Sequence, residues 1–344
     1  MSLLVQVAYL LAAVAFFVAV VLTIRFFRHP IATTVWFRRK RLQRAGFAKT
    51  TVETSVGPQV VWRGGGGPLL VLLHGAGDQA GTWHKIAPDL AKKYSLVMPD
   101  FAGHGQSAPS SGPLSLGTIL GALEQVLDSA PLHPIEATAG FHARTAKPAV
   151  LGTPGLIGAP RNSQRFILAG NSMGAWIAML YACKHPERVS RLLLIDGGAL
   201  KNDQAFVTLL PKNREEARLA FDAILDPASP RPPAFVLDDL VRVTNSGTMA
   251  RLMASIVEAA NYVLDGKLGD FPVPVDIVWG ASDRLVPLDY ARKLEAQLPA
   301  ARLTVIERCG HAPQLECPGR FTQAVLSLLA GEPPLPKFQS EESP

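Results

Sequence analysis

Cysteine is scarce in this chain of 344 residues: Cys183, Cys309 and Cys317 are the whole complement. An odd number without metal-ligand spacing excludes a zinc site and a small disulfide scaffold. The expectation is three reduced thiols in a non-oxidising compartment. Charge is also thin, with 18% charged residues against 48% hydrophobic ones, which excludes overall disorder and allows a sizeable core. Nucleotide signatures are missing too. No Gly-Lys-Ser/Thr follows the glycine-rich PDFAGHGQS at 99–107, and no G-x-G-x-x-G opens a helix. No metal and no cofactor are expected.

Acidic residues are absent from one long stretch. Residues 25–50 hold eight of the 34 lysines and arginines and no acid; the rest of the chain carries 26 bases against 28 acids. The net charge of +6 is therefore local, which argues against a nucleic-acid partner, whose surface would spread charge over a folded face. Ahead of it, residues 3–24 (LLVQVAYLLAAVAFFVAVVLTI) carry no charge at all. A helix of that length spans a bilayer. The rival is a signal peptide, which would need a basic start and a shorter apolar run. The expectation is a single-pass N-terminal anchor at 1–24 and a basic juxtamembrane linker at 25–50. The linker can lie against anionic headgroups, and the positive-inside rule puts the catalytic domain in the cytoplasm.

What is present after residue 50 is alternation. Short runs rich in Val, Leu and Ile predict strands at 59–62, 69–73, 95–98, 166–169, 192–195, 275–279 and 303–306. Amphipathic patterns predict helices at 82–92, 114–127, 175–184, 288–298 and 320–329. Such alternation implies a doubly wound, mostly parallel sheet of α/β class. Two stretches interrupt it. Residues 131–164 are rich in Pro, Gly and Ala and read as a long loop insert. Residues 198–272 show helical patterns and no strand, as a helical lid would. The core is then 51–197 and 273–332, and the tail 333–344 is expected to be disordered.

The chemistry-bearing motif is FILAGNSMGAW at 166–176, an apolar strand running through Gly-Asn-Ser-Met-Gly into a helix. In that context G-x-S-x-G is a nucleophile elbow: the glycines permit a tight turn that lifts the Ser172 hydroxyl above the sheet. A serine hydroxyl needs a base. His311, in ERCGHAPQLECP, has the late position that the order Ser…Asp…His requires. The base needs an orienting acid. Asp283, in IVWGASDRLVP, is favoured; Asp196, in LLLIDGG, also ends a strand between Ser172 and His311 and is the alternative. Acyl chemistry also needs oxyanion donors. The Met173 amide follows the nucleophile. The strand LLVLL ends in HGAGD, which offers the Ala76 amide as the second donor, with His74 bracing the loop.

HGAGD, PDFAGHGQS, GNSMG, VWGASD and CGHAPQLE, in that order, resemble the α/β-hydrolase fold family over about residues 55–330. The likeness is greatest to membrane-anchored monoacylglycerol lipases and serine carboxylesterases. It implies an eight-stranded sheet with a helical lid, a Ser172–Asp283–His311 triad and an Ala76/Met173 oxyanion hole. The substrate it implies is a lipid-like ester met at a membrane. Two departures stand out: Ala175 where a second glycine often follows the elbow, and the length of the 131–164 insert. Related sequences cleave C–C bonds of dienoic ketones or perform perhydrolysis with the same triad, and a non-catalytic ligand-binding protein is a third reading. Oligomeric state is left open by the sequence.

Overall fold

The computed structural model describes residues 3–129, 165–201, 208–298 and 300–331. The 131–164 insert and the 333–344 tail lie outside them. Eight strands form one sheet: β1 (Ala48–Thr54), β2 (Gly57–Gly65), β3 (Leu69–Leu73), β4 (Ser95–Pro99), β5 (Phe166–Asn171), β6 (Val189–Ile195), β7 (Val275–Gly280) and β8 (Arg302–Ile306). Their spatial order is β1-β2-β4-β3-β5-β6-β7-β8. β1 and β2 are an antiparallel hairpin, β2 joins β4 antiparallel, and β3 to β8 run parallel. The central strands are covered on both faces, so LLVLL and VDIVWG are continuous buried runs.

The helices are α1 (Leu3–Arg28), α2 (Pro30–Arg44), α3 (Ala87–Leu90), α4 (Leu116–Ser129), α5 (Met173–Lys184), α6 (Arg214–Ile224), α7 (Ala234–Ser246), α8 (Thr248–Ala254), α9 (Leu288–Gln297), α10 (Pro313–Glu316) and α11 (Pro318–Leu329). One face of the sheet packs against α4, α5 and α9, the other against α2, α3 and α11. Between β6 and β7 the described chain holds no strand, only α6, α7, α8 and a 3₁₀ segment, Ile256–Tyr262. Of the apolar side chains in this helical stretch, Leu252 and Ala259 join the core cluster that contains α5.

α1 is long and apolar enough to cross a membrane, and none of its described side chains is buried. Residues 25–50, expected as a linker, are not one. α1 continues to Arg28, His29 separates it from α2, and α2 packs into the protein. Pro30 sits at the first turn of α2, where its missing N–H costs nothing. Leu42 on α2 is fully buried among Phe47, Trp62 and Trp83. The cationic composition hides the few apolar contacts that seat the helix.

The three-thiol expectation fails as well. Cys309 and Cys317 form a disulfide with Cα atoms 6.0 Å apart; Cys183 is free. The physical reason is local: α10 turns the chain back on itself, so that two cysteines eight residues apart meet beside the core. A sequence spacing of eight carries no signal of that turn.

Candidate active site

β5 delivers the chain into the turn at Ser172 and α5 takes it away. Ser172 adopts φ 57, ψ −122, a conformation that costs a non-glycine residue of order 1–3 kcal/mol and persists only when its surroundings impose it. Here they do. The Ser172 N–H donates to Ile195 O at 2.8 Å. A side chain at Gly170 would overlap the Gly174 carbonyl, and one at Gly174 would overlap the Leu73 carbonyl. Met173 opens α5, so its amide belongs to the first turn, whose N–H groups have no intrahelical acceptor.

The loop after β3 lies beside the serine. A Cβ added at Gly75 would stand 3.3 Å from Ser172 Cβ. Asp78 N–H donates to Gly75 O at 3.3 Å, closing a turn whose third residue, Gly77, takes φ 71. His74 is fully buried. Its Nε2 accepts from Phe101 N–H at 2.9 Å, which leaves Nδ1 as the donor to Gly75 O at 2.8 Å. Burial lowers its pKa, so the ring is held neutral. Ala76, Ser172 and Met173 line one cavity of about 180 Å³, with Trp176, Leu252, Ile256 and Tyr290 among its other walls.

His311 and Asp283 meet from successive loops. His311 Nδ1 lies 2.7 Å from Asp283 Oδ2, and both residues are buried. The other carboxylate oxygen, Oδ1, accepts from Leu285 N–H and Val286 N–H, each at 2.9 Å, which fixes the acid's orientation. His311 N–H donates to Ile224 O at the end of α6, at 2.7 Å. Asn171, the residue before Ser172, donates through Nδ2 to His311 O at 3.0 Å and accepts from Gln314 Nε2 at 3.1 Å. The elbow and the histidine loop are thus bonded to each other. Asn171 and Gln314 sit inside the motifs GNSMG and CGHAPQLE, yet nothing in those motifs marks the bond between them.

Asp196 is brought close to Asp283 but makes no hydrogen bond to the imidazole. It is fully buried with φ 46, and its Oδ1 accepts from Gly280 N–H at 2.7 Å. Burial, then the Asp283 carboxylate beside it, pushes its pKa well above the usual range for a carboxylic acid. Its Oδ2 faces no N–H donor. A raised pKa favours a proton there, with the Asp283 carboxylate as its acceptor. Among the described residues no three His, Cys, Asp or Glu side chains gather as a metal site requires.

A doubly wound sheet with a strained serine at a strand-to-helix turn, bonded through the preceding Asn171 to the loop that carries an acid–imidazole pair, defines a hydrolase scaffold. The chain belongs to the alpha/beta hydrolase family, whose sequence profile matches residues 70–324. An uncharacterised protein of Mycobacterium tuberculosis is 25% identical over 286 residues, covering 76% of this chain and 75% of its own length. A 2-hydroxy-6-oxononadienedioate/2-hydroxy-6-oxononatrienedioate hydrolase of Comamonas testosteroni is 27% identical over 292 residues, covering 77% and 89%. Among solved structures, a membrane phospholipase A described as a bacterial virulence factor superposes with a TM-score of 0.67 at 24% identity, covering 94% of this chain and 98% of its own.

Proposed function

We propose that this protein is a membrane-anchored serine hydrolase that cleaves carboxylic esters of monoacylglycerol type. Ser172 is the nucleophile, His311 the base, Asp283 the orienting acid, and the Ala76 and Met173 amides the oxyanion donors. The observation that carries this reading is the buried Asp283–His311 pair at 2.7 Å, bonded through Asn171 to a strained serine that lines an apolar cavity. His311 takes the Ser172 proton as Oγ attacks the ester carbonyl, and the two amides hold the resulting oxyanion. The tetrahedral adduct expels the alcohol, which receives that proton. Water, deprotonated by His311, then releases the fatty acid from Ser172.

Cleavage of C–C bonds is the second reading, favoured by the relative from Comamonas testosteroni. The substrate in that relative's name is a dicarboxylate. Among the described cavity-lining residues none bears a positive charge, and Tyr290 spends its hydroxyl on Leu200 N–H and O. A dianion would enter such a cavity without a counter-charge, so a neutral ester suits it better.

Covalent labelling by a fluorophosphonate, lost in Ser172→Ala, tests the nucleophile. Glycerol esters, p-nitrophenyl esters of rising chain length and a dienoic ketone test the substrate. Turnover of the ketone with negligible ester hydrolysis would move the protein to the C–C hydrolases; absence of labelling would leave a ligand-binding protein.

Two observations bear on which side of the membrane the domain occupies. The basic residues after α1 favour the cytoplasm, while the buried Cys309–Cys317 bond favours an oxidising compartment. The disulfide weighs more. A long domain is translocated largely regardless of its flanking charge, whereas a reducing cytosol opposes such a bond. We therefore propose the oxidising side for the catalytic domain.

A further inference from the structure

Three arginines of α2 point at the protein rather than at lipid. Arg38 NH1 lies 3.7 Å from Asp78 Oδ1, and Arg39 Nε donates to Gln79 Oε1 at 3.1 Å. The other end of Arg39 reaches Asp100 Oδ2 at 3.9 Å, and Arg41 meets His84 Nε2 at 3.3 Å. Asp78 and Gln79 are the residues that follow the Ala76 and Gly77 turn.

What those arginines touch is the framework of the oxyanion loop. Gln79 Oε1 also accepts Gly81 N–H at 2.9 Å, and Asp78 Oδ1 accepts Gln79 N–H at 2.9 Å. Asp100 is buried; its Oδ1 accepts Ala80 N–H at 2.8 Å and its Oδ2 accepts Gln106 N–H at 2.9 Å. The backbone from Gln79 to Gly81 therefore hangs on three side-chain acceptors, each of which meets an arginine of α2. Before the turn the loop is held by β3 and His74. The turn itself, Gly75-Ala76-Gly77, is soft, because glycine leaves the backbone free. An oxyanion donor must stand about 2.7–3.1 Å from the developing charge, so a soft turn needs both ends fixed.

α2 is itself rigidly seated. Leu42 and Thr33 are buried, and Ile31 N–H donates to Asp239 Oδ2 of α7 at 3.0 Å.

We infer that α2 braces the oxyanion hole, with Arg39 as its principal positioning residue: through Gln79 and Asp100 it fixes the far end of the turn that presents the Ala76 amide. The inference rests on the assignment of that amide in the proposed hydrolase mechanism. Arg39 touches no reacting atom; it sets the distance of a donor. Its loss should weaken the transition state while leaving substrate binding in the apolar cavity alone.

The test uses the full-length chain in detergent micelles, with a neutral p-nitrophenyl ester and with an alkylboronic acid, whose tetrahedral adduct on Ser172 puts an oxygen in the hole. Arg39→Ala should lower kcat about tenfold or more with KM within about twofold, and weaken the boronic acid in parallel. Arg39→Lys, which keeps a charge for Asp100, should recover part of both. Gln79→Ala should resemble Arg39→Ala, and adding it to Arg39→Ala should cost little more. Arg44→Ala, on the exposed side of the same helix, should match the parent. Thermal unfolding of each variant separates misfolding from a misplaced donor, since Arg39→Lys and Gln79→Ala leave α2 seated. Parental kcat and boronic acid affinity in a folded Arg39→Ala protein would overturn the brace, and so would a change confined to KM. A parent that neither turns over ester nor takes up fluorophosphonate would bring down the hydrolase reading and the brace together; an active parent with an equally active Arg39→Ala brings down the brace alone.

Discussion

Asp196 and Asp283 follow neighbouring strands, and their surroundings give them different partners. Asp283 accepts from two backbone amides and meets His311 Nδ1, which fixes the orientation of its carboxyl group. Asp196 is fully buried beside that carboxyl, and burial, then the Asp283 charge, pushes its pKa upward. Asp283→Asn should therefore lower kcat steeply, on the order of 10⁴-fold, because the imidazole loses the partner that fixes its tautomer. Asp196→Asn should cost far less, since an amide accepts from Gly280 and donates to Asp283 as the protonated acid does. Steady-state kinetics of the two variants decides, and a reversed ranking would hand the acid's role to Asp196. Stability gives a second readout. Above about pH 3.9 the unfolded chain loses the Asp196 proton while the folded chain retains it, so this residue's contribution falls as pH rises toward its elevated folded pKa. The side-chain amide of the Asp196→Asn variant does not titrate. The variant's Tm should exceed the parent's at pH 8, and the difference should shrink at pH 4.

Elements differ in how plainly the sequence announces them. β3, β5 and α5 were legible because an uninterrupted apolar run ending in closely spaced glycines has few other meanings, and the elbow and its partners follow from chain order. β1 was not foreseen: AKTTVET is an edge strand with four of its seven residues exposed and none buried, so it lacks the apolar run by which the central strands were recognised. α2 was misread because net charge dominates its composition while single buried contacts such as Leu42 decide its place. The Cys309–Cys317 bond was invisible, since only the turn of α10 brings the two sulfurs together. That bond closes a short loop around His311, whose Gly310 amide also donates to Glu316. Replacing both cysteines by serine should cost about 2 kcal/mol from loop closure, with a fall in kcat as the histidine loop loosens. Thermal scans of parent and double variant, with and without a reductant, measure it; a parent insensitive to reductant, with three titratable thiols on unfolding, would refute the cross-link.

At the scale of the whole molecule, α1 contributes no buried side chain among its described residues and α2 does. Deletion of residues 1–28 should release a folded protein from membranes, because no described side chain of α1 is buried. Deletion of residues 1–44 should also remove Leu42 and the arginines under the proposed oxyanion loop, and activity should go with them. Fractionation and ester turnover of the two truncations distinguish a removable anchor from a structural helix; equal activity in both would show α2 to be dispensable. Protease added to the oxidising side of sealed vesicles should digest the catalytic domain. Protection there, with digestion from the cytosolic side, would reverse the proposed orientation.

His29 alone separates α1 from the helix that is packed into the core, and Phe26 and Phe27 at the end of α1 lie 5.5 and 5.1 Å, ring centre to ring centre, from Phe235 of α7. There is no leash. A domain on a flexible stalk samples a hemisphere of water; on the proposed membrane-bound reading this one would ride at a constant height and explore the bilayer in two dimensions only. On that reading its effective substrate concentration would be a number of molecules per unit area. In mixed micelles of fixed composition the rate per enzyme should stay flat as total lipid is diluted, and should rise when the mole fraction of ester in the surface is raised.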